Sequence, residues 1–268
     1  MFVLGLFVDS HVNALCNMWM TSLRLVFIFT VFYIAVLAVG TWVNFVLIEP
    51  PKDLPNMVLR LAPLQAILLL LCVCYVPRIG GWRSIGFGKF NVLGLFWILP
   101  SVAVIIAMVL GMQSAAGPAL SAVPVYGVVA IFTVPVLIGL SEEILFRGIL
   151  FHTLLRKLSF VQAMMMSSVM FALMHSPTLL TGQMAATTFQ QMGFAFLVGM
   201  FLAPITLRSG TLWVPIIWHA VWDMTIYVGN LSGVYFHYAL IGIMIQALFG
   251  LILATRIMGR NTLYLRRS

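Results

Sequence analysis

Charge is what this sequence has least of. Of its 268 residues 7% are charged and 63% hydrophobic, with a mean hydropathy of +1.12. Soluble domains carry about a quarter charged residues, so this composition excludes one and leaves a polytopic membrane protein surrounded by a lipid bilayer. Acidic residues are the scarcest: six, against fourteen basic. The resulting net charge of +8 does not mark a nucleic-acid partner, because the basic residues are scattered through polar loops and form no stripe with aromatics between them. Cysteine is scarce too. Cys16, Cys72 and Cys74 are odd in number, lie in apolar surroundings and lack metal-ligand spacing, which leaves them as small packing residues. The opening apolar run has no basic region before it and no small-residue cleavage site after it, so it reads as an interfacial lead-in with Asp9 and His11 wet, and not as a cleavable signal. Repeats, low-complexity tracts and linkers are also missing, which predicts one integral membrane domain over 1–268.

What is present is a series of apolar runs. Stretches long enough to span a bilayer fall near 24–48, 57–77, 91–112, 122–154, 159–176, 184–207, 211–230 and 235–257, so an all-α bundle of about eight transmembrane helices is expected. Arg24, the loop with Arg78, Arg83 and Lys89, the turn with Arg156 and Lys157, the turn with Arg208, and the tail with Arg256, Arg260, Arg266 and Arg267 all fall on one side of that arrangement. The opposite loops hold only Lys52 and Arg60. The positive-inside rule then places both termini in the cytoplasm. Pro50, Pro51 and Pro55, Gly80 and Gly81, and Ser176 with Pro177 mark helix ends, whereas Pro135 and Pro204 sit inside spans and predict kinks. A kink at Pro135 would free carbonyls near residue 142.

Against this background the segment Ser141 to Gly148, SEEILFRG, stands out, since a charge at membrane depth costs at least about 2.5 to 3.5 kcal/mol. Glu142, Glu143 and Asp223 are the acidic residues that fall deep within apolar runs. Glu143 and Arg147 are four apart on one helix face, within reach of an ion pair that would neutralise both. Glu142 points about 100° away and is left as the free carboxylate, a candidate general base. The next span ends FALMHSP, with Phe171 one turn before His175, and counting outward from the turn near 158 puts His175 at the depth of Glu142. The seventh span holds His219 and Asp223 on one face, in PIIWHAVWD. Ionisable groups gathered in one half of a membrane bundle face its interior or a cavity. His152 and His237 lie near loops, where solvent or headgroups satisfy them. Trp218 and Trp222 flank the His219 face and pack or anchor. Met164, Met165, Met166, Met170 and Met174 are adaptable packing, with no cofactor assigned to them.

Glu142, Glu143 and Arg147 fit EExxxR, Phe171 and His175 fit FxxxH, and His219 with Asp223 fits HxxxN/D, in that order and on separate spans. Over roughly 122–230 the chain resembles the CAAX protease and bacteriocin-processing family of intramembrane endopeptidases, the CPBP or Abi proteins. The resemblance implies a glutamate-dependent peptidase acting on a membrane-associated peptide, prenylated or leader-like, without a metal or other cofactor. It gives Glu142 as the base that activates water, His175 as its helper, and His219 with residue 223 as oxyanion stabilisers, while Glu143, Arg147 and Phe171 support them. An ionised Asp cannot donate a hydrogen bond as Asn does. Asp223 is therefore either protonated or an orienter of His219. The alternatives are a metal-dependent hydrolase built on the same His and carboxylates, although no HExxH is present; a proton-coupled transporter; and a non-proteolytic binding or immunity protein on this scaffold. Short loops without soluble domains suggest a bacterial inner membrane.

Overall fold

The structure, a computed structural model, describes residues 3–48, 51–234 and 237–265, with side chains over 23–48, 51–234 and 240–258. The side chains of Asp9, His11, Cys16, His237 and Arg260, and all of Pro50, Arg266 and Arg267, lie outside the described residues. The backbone is helical almost throughout: α1 (Val3–Trp42), α2 (Leu54–Tyr75), α3 (Leu99–Ser121), α4 (Val125–Glu143), α5 (Phe151–Leu155), α6 (Phe160–Leu173), α7 (Ala185–Ser209), α8 (Trp213–Leu231) and α9 (His237–Leu265). No lead-in is set apart from the first span, since α1 runs through both.

Among the described residues seven helices are long and apolar enough to cross a membrane: Leu23–Leu47, Leu54–Ile79, Leu99–Ser121, Val125–Leu155, Phe160–Thr181, Ala185–Ser209 and Leu240–Met258. The remaining expected span, 211–230, forms α8, a 19-residue helix packed against α4 and α3. Its length is sufficient, but His219, Asp223 and three Trp lower its hydropathy below that of the other seven. The bundle thus has the all-α, multi-spanning architecture that the composition demands.

Helix ends follow local chemistry. The Asp53 carboxylate caps α2 by accepting from the Asn56 amide at 2.8 Å, with Pro55 in the first turn. Ser159 and Gln162 form a reciprocal capping box at the start of α6. α3 lies about one helix-third further along the chain than the expected 91–112. Asn91 instead opens a 3₁₀ stretch, Val92–Trp97, the helix begins with Pro100 in its first turn, and the apolar residues expected to form a loop at 113–121 continue the helix.

The basic segments gather at one end. The Asn91 amide donates to the Ser209 carbonyl, the Leu212 amide to Gly86, and Phe87 bridges Thr211, so the loop bearing Arg83 and Lys89 is tied to the turn after Arg208. Arg156 donates to the Ser84 carbonyl and Arg256 stacks over Trp97. Four segments read as sharing one membrane face are therefore in contact. Two close helix approaches fix the interior. A Cβ at Gly139 of α4 would lie 2.9 Å from the Ile216 carbonyl of α8, and one at Gly199 of α7 would lie 2.7 Å from Ser168 Oγ of α6. Glycine lets those backbones meet.

Candidate active site

The polar residues of α4 sit at a change of helical pitch. After Glu143 the chain widens into a π-helical stretch, Ile144–Leu150, every residue of which is buried, before resuming as α5. Widened turns of this kind loosen the usual carbonyl pairing and recur at functional sites. Side chains take up the carbonyls affected. The Cys72 thiol donates to Ser141 O at 3.6 Å, Ser167 Oγ to Phe146 O at 2.8 Å, and His152 Nδ1 to Arg147 O at 2.7 Å. His152 is thus engaged by backbone through Nδ1, and Cys72 adds a weak hydrogen bond to its packing.

Glu143 and Arg147 form the expected ion pair at 2.8 Å, with side chains 0% and 1% exposed. The same oxygen, Glu143 Oε1, also lies 2.8 Å from His219 Nδ1. A carboxylate oxygen can only accept, so Nδ1 carries a proton and donates it. The Nε2 atom of His219 then faces two further carboxyls, Glu142 Oε2 at 3.8 Å and Asp223 Oδ2 at 3.6 Å. Both distances exceed a hydrogen bond but keep the groups in mutual electrostatic reach. Glu143 therefore holds the His219 ring through Nδ1, while Asp223 stands near Nε2. The sequence signal for this is the adjacency of two Glu, while the spacing of four to Arg147 indicates only the first of the two contacts of Glu143.

Phe171 joins the two halves of the site. Its ring lies under the Arg147 guanidinium at 4.0 Å and meets His175 and His219 edge-on at 5.3 and 6.0 Å. His175 stands just beyond α6, where its Nδ1 is 3.0 Å from the Phe171 carbonyl. That contact makes Nδ1 the donor and leaves Nε2 to act elsewhere.

His175, His219 and Asp223 open on one cavity of about 440 Å³, together with Phe171 and the stacked pair Trp218 and Trp222. Gln191, Phe194, Ala195 and Val198 of α7 and Leu240 and Ile243 of α9 complete the wall. The mixture of apolar wall and convergent polar groups is that of a ligand site. Glu142 does not line the cavity and reaches it past His219. Trp218 is held by a donation from Nε1 to Ser101 Oγ, a hydroxyl that Gln246 also contacts. These two polar partners lie on α3 and α9, outside any motif. Of the methionines, Met164 and Met174 are buried in the core, while Met165 and Met166 face outward. No three His, Cys, Asp or Glu side chains are grouped as metal ligands among the described residues.

Residues 124–225 match a family model described as type II CAAX prenyl endopeptidase Rce1-like. This segment belongs to the CAAX-protease family. It spans α4 to the middle of α8 and includes Glu142, Glu143, Arg147, Phe171, His175, His219 and Asp223. Comparison with curated proteins gave no match, and neither did comparison with solved structures.

Proposed function

We propose that this chain is an intramembrane endopeptidase that hydrolyses a peptide bond of a membrane-associated substrate with a water activated by Glu142. The observation that carries the reading is the single imidazole held between three carboxyls: Glu143 fixes Nδ1, and Nε2 is turned toward Glu142 and Asp223 at the wall of a cavity. A hydrolytic site needs such convergent polar groups, with its imidazole held in place by a further carboxyl behind it. It also agrees with the family assignment of the surrounding segment.

In this reading Glu142 takes a proton from water as the water attacks the scissile carbonyl. His175 contributes Nε2 to orient that water, because its other nitrogen is engaged by the Phe171 carbonyl. The oxyanion then forms near His219 and Asp223. For His219 to donate from Nε2 it must carry protons on both nitrogens, and for Asp223 to donate it must be protonated. The proton held by Glu142 passes to the leaving amine, which restores the carboxylate. Glu143, Arg147 and Phe171 keep the imidazole and the pitch change in register. The substrate is a membrane-associated chain, prenylated or carrying a leader-like segment. The bundle sits in a bacterial inner membrane as one domain, with the basic loops and both termini in the cytoplasm.

The test compares newly generated peptide termini in membranes from cells expressing the wild type or Glu142→Ala, with and without a chelator. Termini that vanish in the variant but survive the chelator are expected. Termini that vanish only with the chelator would replace the water-activating glutamate by a metal ion, and identical termini in all samples would remove the peptidase reading.

A further inference from the structure

α3 and α8 both start from the basic end of the bundle, and between them lies an apolar groove of about 520 Å³. Its walls are a stripe of Ile98, Val102 and Ile105 at the start of α3 and a stripe of Trp213, Ile217 and Val221 on α8. From Trp213 to Val221 the helix rises about 12 Å, most of the roughly 15 Å that one leaflet contributes to a hydrocarbon core. The groove thus runs the depth of one leaflet. Aromatics mark where that depth begins: Trp82, Phe87 and Trp213 meet edge-on in series, each pair with centroids 5.4 Å apart, and both Trp rings are exposed. Such rings gather where headgroups meet hydrocarbon.

Charge stands at the same end. Gly88, Phe90 and Thr211 line the mouth of the groove, with Lys89 between the first two in sequence and Arg208 three residues before the third. The two segments are held together, since the Asn91 amide donates to the Ser209 carbonyl at 2.8 Å and a Cβ at Gly88 would lie 2.8 Å from the Gly210 carbonyl. Lys89 is exposed and Arg208 half-buried, and neither side chain is in an ion pair among the described residues. Protein carboxylates are not at hand. Glu142, Glu143 and Asp223 belong to the interior site, and Asp53 caps the end of α2 away from the basic loop.

We propose that this groove is a binding site for an anionic phospholipid, with one acyl chain laid between α3 and α8 and the headgroup at Lys89 and Arg208. A basic residue near the membrane surface attracts anionic lipid, and an apolar channel one leaflet deep accepts the chain below it. A prenyl chain on a peptide brings no phosphate to this mouth, so the phospholipid suits it better. Such binding does not depend on peptidase activity, and Trp218 separates it from the polar cavity. A groove of about 400 Å³ further along α3, between Val104, Gly111 and Gly242, supplies the contrast. No basic residue adjoins its lining in sequence, so a lipid there is held without preference for its headgroup.

The test is native mass spectrometry of the purified full-length protein in detergent, titrated with phosphatidylglycerol or with phosphatidylcholine of the same acyl chains. The wild type is expected to hold one phosphatidylglycerol at least about tenfold more tightly than phosphatidylcholine, since each basic residue near an anionic surface is worth about fivefold. Lys89→Gln and Arg208→Gln should each lower that preference about fivefold, and the double variant should abolish it. Ile217→Trp, or Val102→Phe on the opposite wall, fills the groove with a ring and should weaken the binding of both lipids. Equal affinity of the wild type for the two lipids overturns the proposal with no variant needing to fold, and so does a preference that survives in the double variant. Phosphatidylglycerol binding left intact by both Ile217→Trp and Val102→Phe would mean that charge alone holds the lipid and that the groove is not its seat. Displacement of the phosphatidylglycerol by an equimolar farnesylated peptide would give the groove to a substrate's chain instead. Cleavage enters none of these readouts, so failure of the peptidase reading and failure of the lipid site are told apart.

Discussion

The two sides of α8 make opposite use of one helix. His219, Trp222, Asp223 and Ile226 face the polar cavity of about 440 Å³, while Trp213, Val214, Ile217 and Val221 face an apolar groove of about 520 Å³ against α3. Trp218 lines both and is the wall between them. On the cavity side His219 donates from Nδ1 to Glu143, and Nε2 faces Glu142 and Asp223 beyond hydrogen-bond distance. The groove side is hydrocarbon apart from Thr211 and the Trp213 and Trp218 indoles, and Ile217 is 59% exposed there. In lipid such exposure carries no penalty, since a bilayer solvates Ile as well as a protein core does. The lesson is that interior packing in this bundle is set by polar groups that need partners, whereas its outer surface needs only to be apolar. Substitutions should therefore divide sharply by face.

The largest effect is expected at the polar side. Glu142→Gln keeps the size of the side chain but removes the proton acceptor, so cleavage should fall by a factor of about 10² to 10⁴, with the protein still inserted at normal levels. Quantifying the Glu142-dependent termini against protein amount checks this, and a rate within a few-fold of wild type would take Glu142 out of the role of base. Next comes Arg147→Ala. It leaves Glu143 buried without its cation, which for a buried pair costs about 3 to 5 kcal/mol. The expected readout is loss of folded protein in membranes and a markedly lower melting temperature. Unchanged stability would mean that His219 alone suffices to hold Glu143.

Gly139→Ala should come third, because it tests the seam between α4 and α8 and not the ionisable groups. The added methyl would sit 2.9 Å from the Ile216 carbonyl, so α8 must move, at a cost of about 1 to 3 kcal/mol. A displacement of that kind also shifts His219 relative to Glu142, and misplacements of about 1 Å can lower a rate about a hundredfold. Activity should therefore fall further than stability does. Equal activity in the variant would show that the alignment of these two helices tolerates slack.

How much of this was legible beforehand follows the same division. The all-α membrane bundle was readable because composition alone fixes the solvent, and the Glu143–Arg147 pair because a spacing of four has one geometry on a helix. The family segment was readable because EExxxR, FxxxH and HxxxD keep their residue types in order. The position of α3 was not, since hydropathy cannot distinguish an apolar helix from an apolar 3₁₀ approach to it; Asn91 and Pro100 decide that locally. The π-helical turn was equally hidden, being a matter of backbone pitch with no residue code. Nor could spacing show that Glu143 holds His219, because that contact joins residues 76 positions apart. The Trp218 anchor, Ser101, and Gln246, which donates to the same hydroxyl, are single polar residues in apolar helices, and only packing reveals their partners.

The smallest effect is expected on the groove side, and it sharpens the contrast most. Ile217 and His219 are two residues apart on α8, so their side chains leave the helix about 200° apart. Ile217→Ala removes apolar surface that already faces hydrocarbon, so the transfer contribution that makes such changes costly in a core is nearly absent. Stability should change by no more than about 0.5 kcal/mol, as for substitutions away from packed features. Cleavage should stay within about twofold of wild type if groove and cavity are separated by a rigid Trp218. Weakening that wall gives the matching probe: Ser101→Ala takes away the acceptor that the Trp218 indole shares with Gln246. Should Ile217→Ala become damaging only in the Ser101→Ala background, the two sides of α8 communicate through Trp218. Additive behaviour would mean that the groove and the cavity are independent sites on one helix.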